Sequence, residues 1–191
     1  MLKIPKQYKS LSYIYDIEWQ DIFAVWRAYE SYQKDWQDHW EERGFKSWDE
    51  WRKDYISPLE PENRKWSIWR IEKPSDDIAQ IYGVPARGWR RHFYGDKITM
   101  PLQDVVEKMR EKYSIDDEGK NEKIELLKNN FPYQTMLTGI INKDKIILIE
   151  GMHRGVALTM MDEQEIIGDV TIALAEYDED LNIMLSKKLD N

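Results

Sequence analysis

The chain of 191 residues contains no cysteine. This absence excludes a disulfide framework, a thiolate nucleophile and a zinc–thiolate site. No uninterrupted apolar run approaches the roughly 18 residues that a membrane-spanning helix needs. The opening stretch "MLKIPKQYKS" also lacks the apolar segment of a secretory signal. We therefore expect a cytoplasmic protein that does not enter a membrane.

Positive charge is also in short supply, because 28 Lys and Arg stand against 36 Asp and Glu and give a formal net charge of −8. Affinity for nucleic acid comes mostly from neutralising phosphates, so this balance argues against a nucleic-acid-binding protein. The charge is uneven, however. Residues 64–97 contain eight basic and four acidic side chains. This segment is therefore the one best suited to an anionic ligand.

Aromatic residues are abundant and concentrated, since all nine tryptophans precede residue 90. From Asp16 to Arg43 the apolar residues recur at helical spacing, which predicts one long helix with a single apolar face (Trp19, Ile22, Trp26, Tyr29, Trp36 and Trp40). Ser47 and Glu50 form a capping-box pattern that starts a shorter helix, ending before Pro58.

These patterns predict a Trp-rich helical N-terminal extension over residues 1–61 and an α+β core over residues 62–191. The aromatic face is interpreted as the core of a helix pair rather than as a base-stacking platform, because neighbouring acids would repel a nucleic-acid backbone. Such an extension could also hold a protein partner.

The segment that follows combines a strand pattern with a basic, aromatic loop. "KWSIWRIEK" alternates as a strand does, and Arg90 and Arg91 lie beside Trp89 among turn-forming glycines. A loop of this composition can bind a phosphate or a nucleobase. It can equally be a solvated loop whose tryptophan packs into the core.

The C-terminal half predicts alternating helices and strands. "PLQDVVEKMREKY" has the spacing of a helix, and "YQTMLTGIINKDKIILIEG" that of two strands around a tight turn. A helix from about Met152 to Met161 and a strand at "DVTIALAEYD" follow. The fold class is therefore mixed α+β.

The join "IILIEGMHRGVALTMM" is the candidate site. A buried strand ends at Glu150, and a helix starts within two or three residues, so unpaired N–H groups are available to bind an anion. Gly151 allows close approach, and His153 and Arg154 add hydrogen-bond donors. The alternative is that Glu150 simply pairs with Arg154.

The order of elements in "NNFPYQTMLTGIINKDKIILIEGMHRGVALTMM" resembles that of the ParB/sulfiredoxin superfamily, over about residues 100–176. "GMHR" differs at one position from the Gly-Cys-His-Arg of sulfiredoxins, and "EGMHR" is similar to the Asp-Gly-His-His-Arg of free serine kinases. The resemblance implies a ParB/sulfiredoxin-like fold in which Gly151, Met152, His153 and Arg154 bind nucleotide phosphates. Met152 replaces the sulfiredoxin cysteine, which excludes sulfinic-acid reduction. The extended arginine pattern of partition ParB proteins is also absent.

The resemblance favours a small-molecule phosphotransferase or nucleotide hydrolase that uses ATP, ADP or CTP with Mg²⁺. Glu150 would bind the metal or act as a base, and His153 would be the second catalytic residue. Arg90 and Arg91 would support the phosphates. One alternative is a non-catalytic nucleotide-sensing or protein-interaction module, and a further alternative is a nucleic-acid-binding protein.

Overall fold

A computed structural model describes residues 2–84, 89–113 and 122–181, without the side chains of residues 90, 91 and 113. These residues form one seven-stranded sheet in the spatial order β1-β2-β7-β5-β6-β3-β4. Two neighbouring pairs, β7 with β5 and β6 with β3, are parallel and the others are antiparallel. The strands are β1 (Leu11–Ile17), β2 (Trp66–Ile71), β3 (Tyr82–Gly83), β4 (Met100–Pro101), β5 (Gln134–Asn142), β6 (Lys145–Glu150) and β7 (Asp169–Glu176).

Helices cover both faces of this sheet. Those described are α1 (Trp19–Glu30), α2 (Lys34–Glu41), α3 (Trp48–Ile56), α4 (Pro74–Gln80), α5 (Leu102–Tyr113), α6 (Glu122–Asn129) and α7 (Met152–Met160). A π-helical turn spans Arg90–Tyr94, and short 3₁₀ turns occur at Ser57–Leu59, Pro61–Asn63 and Glu163–Glu165. None of the helices in the described ranges is long and apolar enough to cross a membrane.

Successive side chains of the central strands point to opposite faces of the sheet, so the sheet has a hydrophobic core on each face. On β6, Leu148 packs on one face while Ile147 and Ile149 pack on the other, because successive side chains of a strand point to opposite sides. The first face lies under α4, α5, α6 and α7 and is called the α7 core. The second lies under α1, α2 and α3. It is called the tryptophan core because it contains six buried tryptophans (Trp19, Trp26, Trp40, Trp48, Trp51 and Trp66).

The expected α+β class and the aromatic cluster are confirmed. The predicted hairpin is present, with Asn142 paired to Lys145 across a turn in which Lys143 has a φ of 58°. The strands predicted around residues 66–71 and 169–176 and the helix from residue 152 are also present. Apolar runs made β5, β6 and β7 recognisable, whereas β2 was predicted from alternation and α7 from helical spacing.

The N-terminal segment differs from its prediction in two ways. Residues 1–61 are not wholly helical, because β1 pairs with β2 and forms one edge of the sheet. The expected long helix from Asp16 to Arg43 is broken after Glu30, and Gln33 caps α2 in an extended conformation. The break falls where Gln33 interrupts the apolar spacing, and it lets α1 cover the sheet while α2 packs against α3.

The aromatic face of α1 and α3 is turned inwards. Trp26 is buried, and its indole N–H donates to Thr138 Oγ1 on β5 at 2.8 Å. Ser47 caps α3 by accepting from the Glu50 amide at 3.2 Å, as predicted, although the Glu50 carboxylate accepts from Lys46 rather than from Ser47. A protein partner of this segment would therefore meet its outer, polar surface.

Candidate functional site

The join between β6 and α7 is a tight turn that only glycine fits. Gly151 has a φ of 95°, in the left-handed region, and a Cβ built there would lie 2.5 Å from Leu137 Cδ2. Gly151 is the N-cap of α7, and its carbonyl accepts from the Gly155 amide at 2.8 Å. Within the described residues no side chain caps this helix. The first amides of a helix have no partner inside it, so they remain available to a ligand.

Glu150 and Arg154 form a buried ion pair across this turn. Arg154 Nη2 donates to both carboxylate oxygens of Glu150, at 2.6 and 2.8 Å, and the two side chains are 6% and 9% exposed. Arg154 Nη1 also donates to the Met136 carbonyl at 3.2 Å, and its guanidinium lies 4.4 Å from the centre of the Tyr29 ring. Burial raises the pKa of the Glu150 carboxyl, while the positive charge of Arg154 lowers it.

A second buried ion pair lies in the helices that cover the turn. Arg52 on α3 bonds through Nε to Glu30 Oε2 on α1 at 2.7 Å, and through Nη2 to the other oxygen. Trp48 Nε1 donates to the same carboxylate at 3.0 Å. Arg52 lies over aromatic rings on several sides, with centroid distances from 4.2 to 5.5 Å (Trp51, Tyr55, Trp36 and Trp26).

Tyr55 connects the two pairs. The guanidinium of Arg52 lies 5.0 Å from its ring centre, and its hydroxyl donates to the Ile149 carbonyl at 2.9 Å, one residue before Glu150. Glu30 and Arg52 both act on the pKa of Glu150, in opposite directions. Two positive and two negative side chains are thus balanced in one buried network, which attaches α1 and α3 to the start of α7.

His153 lies half-buried on the outer side of the same turn. Burial, Lys123 and Arg154 lower its pKa to about 4, so the imidazole is neutral at pH 7. Its ring meets Trp89 edge-on with centroids 5.2 Å apart. That contact places the start of the π-helical turn beside the first turn of α7. Lys123 on α6 acts on the pKa of His153, and its Nζ lies 4.8 Å from the ring centre of Trp36.

The predicted site residues therefore separate into four groups. Gly151 and His153 are half-buried at the turn, whereas Glu150 and Arg154 are buried against each other, which was the alternative left open. The Met152 side chain is buried in the α7 core, so only its backbone amide could meet a ligand. The side chains of Arg90 and Arg91 lie outside the described part of the chain.

The arrangement bears on chemistry as well as on binding. Both oxygens of Glu150 already accept hydrogen bonds from Arg154, so a role as metal ligand or base would require that pair to separate. Among the described residues no group of three or more His, Asp or Glu side chains is placed to hold a metal ion. The predicted roles of Glu150 and His153 in catalysis stay predictions.

Two polar residues of this region were not predicted from the sequence. Glu30 and Arg52 are buried charges in α1 and α3, whose aromatic face was interpreted as the core of a helix pair. The spacing contained a signal, because Glu30 follows Trp26 by four residues and Arg52 follows Trp48 by four. A charged residue on the inward stripe of a helix indicates a buried partner of the opposite sign.

Comparisons of the chain with protein-family models, with curated proteins and with solved structures found no match.

Proposed function

We propose that the chain binds a phosphate-bearing nucleotide, ATP, ADP or CTP, at the turn between β6 and α7. The observation that carries the proposal is the start of α7, where Gly151 adopts a φ of 95° and no described side chain caps the helix. Backbone N–H groups and the helix dipole at such an end favour a negative charge. A ParB/sulfiredoxin-like core and a cytoplasmic location belong to the same proposal.

The surroundings of the turn are suited to an anion. His153 is neutral at pH 7 and can donate one ring N–H without bringing a charge. Lys123 on α6 is close enough to lower the pKa of His153 and supplies a positive charge next to the turn. The contact between Trp89 and His153 brings the π-helical turn that begins with Arg90 and Arg91 to the same place.

Binding without phosphoryl transfer is the form of the function that the geometry favours. Phosphoryl transfer needs a metal and a group that orients the attacking hydroxyl. The carboxylate proposed for both tasks, Glu150, is held by two hydrogen bonds from Arg154 in a buried site. The chain then acts as a nucleotide-sensing module whose Glu150–Arg154 pair shapes the turn rather than reacting with the ligand.

Titration calorimetry with ATP, ADP and CTP, with and without Mg²⁺, tests this proposal. Replacing Arg90 and Arg91 together by Gln should weaken binding at least about tenfold, because we assign their two positive charges to the phosphates. The matched control replaces Lys65 and Arg70 by Gln, which removes the same charge from two exposed positions at β2, three strands away from β6.

The outcomes separate the alternatives. Binding that weakens only in the Arg90/Arg91 variant, with the nucleotide recovered unchanged, supports the sensing module. Nucleotide converted to product would instead support the phosphotransferase or hydrolase. If neither nucleotide nor inorganic phosphate binds, or if the control variant weakens binding equally, the proposed site is wrong.

A further inference from the structure

The outer edge of β1 is long, apolar and open. β1 is the edge strand of the sheet, and five of its seven residues are apolar in "LSYIYDI". Its central side chains are substantially exposed, with fractions of 40%, 38% and 51% (Tyr13, Ile14 and Tyr15). Among the residues that the structure describes, none pairs with the outer side of this strand. Natural proteins usually shield such an edge with lysine, proline, a β-bulge or a covering segment, and of these β1 has a bulge at Ile14.

The opposite edge of the sheet is shielded in that way. β4 spans only Met100–Pro101, and proline has no N–H to offer to an added strand. The sheet therefore has one short, protected edge and one edge that can accept a further strand. A single open edge leads to a closed pair of molecules rather than to a growing fibre, because no second open edge remains after pairing.

We propose that two copies of the chain pair through β1 in antiparallel orientation, joining their sheets across a two-fold axis. Charge favours a second copy as the occupant. Residues 9–17 contain one basic and one acidic side chain, Lys9 and Asp16, in a protein whose net charge is −8. Residues 9–17 thus carry no net charge and add little to the repulsion between two acidic molecules. An antiparallel register centred between Ser12 and Tyr13 would also bring Lys9, in the turn before β1, near Asp16 of the partner subunit at both ends of the interface.

The backbone of β1 is compatible with this pairing. Alternate residues of an antiparallel strand direct their N–H and C=O groups to one side, so half of those groups on β1 face away from β2. A bulge lies at Ile14, between Tyr13, which pairs with Trp69, and Tyr15, which pairs with Ile68. Regular strand remains on either side of the bulge, with three residues in each part, and both parts keep outward-facing groups.

The mass of the full chain in solution, measured by light scattering over the micromolar to millimolar range, tests the proposal. We expect a dimer of twice 23.0 kDa that dissociates on dilution. Tyr15→Lys should raise the dissociation constant at least about tenfold, because it places a like charge from each copy in the interface. Tyr32→Lys is the matched control, since Tyr32 is 76% exposed on the turn after α1. Circular dichroism shows whether each variant is folded.

A second measurement does not depend on destabilising the edge. Because the chain has no cysteine, Ser12→Cys allows one spin label on β1, and Gln103→Cys allows one at the exposed start of α5, next to β4 at the opposite edge of the sheet. A short interspin distance for the first label and a long one for the second is the expected result. A monomer at every concentration, a dimer unaffected by Tyr15→Lys, or a long distance between labels on β1 would each overturn the pairing.

Discussion

Buried charge is the main feature of the molecule at the scale of single residues. The pairs Glu150–Arg154 and Glu30–Arg52 are each nearly inaccessible to solvent, and each guanidinium also lies over aromatic rings. Removing two charges from water costs free energy, which the attraction between them and their hydrogen bonds must offset. Such a pair contributes little net stability when complete, but losing one partner leaves a buried charge without compensation.

Arg154→Ala should therefore destabilise the protein strongly. We expect the free energy of unfolding to fall by about 3–5 kcal/mol, because Glu150 is left buried and unpaired. The matched control is Arg27→Ala, which breaks an ion pair with Asp49 in which the side chains are 48% and 41% exposed. That change should cost no more than about 1 kcal/mol. Urea unfolding at neutral pH measures both, and equal losses would show that burial does not set the value of the Glu150 pair.

Asp77 gives a pH dependence with a definite sign. Burial raises its pKa from 3.8 to about 6, with Asp76 and Glu163 adding to the effect. The folded state thus binds the proton more tightly than the unfolded chain, so the protonated acid contributes stability that is complete below pH 3.8 and is lost as the pH rises through about 6. Asp77→Asn should be more stable than the natural chain at pH 7, by about 1–2 kcal/mol.

Thermal unfolding of the Asp77→Asn variant between pH 4 and pH 8 checks this sign. The difference from the natural chain should shrink towards pH 4, because both side chains are then neutral. Asp178→Asn on the exposed segment after β7 serves as the control and should show no such trend. A variant that is less stable than the natural chain at pH 7 would mean that the Asp77 carboxylate is stabilised rather than penalised.

The sequence predicted part of the candidate site at this scale. Glu150 at the end of β6 and Arg154 in the first turn of α7 are close in sequence, and their pairing was weighed against phosphate binding. Glu30 and Arg52 are 22 positions apart and meet only because α1 and α3 pack together. A contact between two helices depends on the angle at which they cross. The spacing of residues within one helix does not determine that angle.

At the scale of elements, β5, β6 and β7 were predictable because each is a nearly continuous apolar run. β1 was not, since its residues are exposed on both faces and its apolar side chains do not alternate with polar ones. α1 begins at Trp19, two residues after β1 ends. Its helical spacing of apolar residues was the stronger pattern, so the strand before it was not predicted. What defines β1 is its pairing with β2, more than fifty residues later in the chain.

The start of α7 depends on one glycine, so Gly151→Ala should destabilise it. The new methyl group would meet Leu137 in a backbone conformation that disfavours any Cβ, and we expect a loss of about 2–4 kcal/mol. Gly44→Ala is the matched control, because Gly44 has a similar φ of 79° but no atom within 4 Å of an added Cβ. Its cost should be about 1 kcal/mol.

The difference between these two variants isolates the contact with Leu137. Chemical denaturation of both proteins measures it, and Leu137→Ala combined with Gly151→Ala should recover part of the loss relative to the sum of the single changes. Equal losses for Gly44→Ala and Gly151→Ala would indicate that backbone conformation alone requires the glycine at the turn.

At the scale of the whole molecule, the two cores share one sheet. Ile147 and Ile149 contact the tryptophan core, while Leu148 between them contacts the α7 core. Residues 1–61 supply α1, α2 and α3, which cover one face completely, as well as the edge strand β1. Removing them would expose an apolar sheet face, so this segment is joined to the rest by burial rather than by a linker.

The predicted boundary between residues 61 and 62 therefore makes a testable claim about cooperativity. If the shared sheet makes the two cores depend on each other, the whole chain unfolds in one cooperative step. All nine tryptophans precede residue 90 and six of them belong to the tryptophan core, so their fluorescence reports chiefly on that face. Far-ultraviolet circular dichroism reports on the helices of both faces.

We expect the two signals to follow one transition in urea, with the same midpoint and the same slope, because neither core can lose its sheet without disrupting the other. Trp26→Phe, which removes the hydrogen bond to Thr138, should shift both curves equally. A fluorescence transition that precedes the dichroism transition would show instead that the N-terminal segment unfolds as a unit of its own. The boundary expected from the sequence would then be energetically real despite the shared sheet.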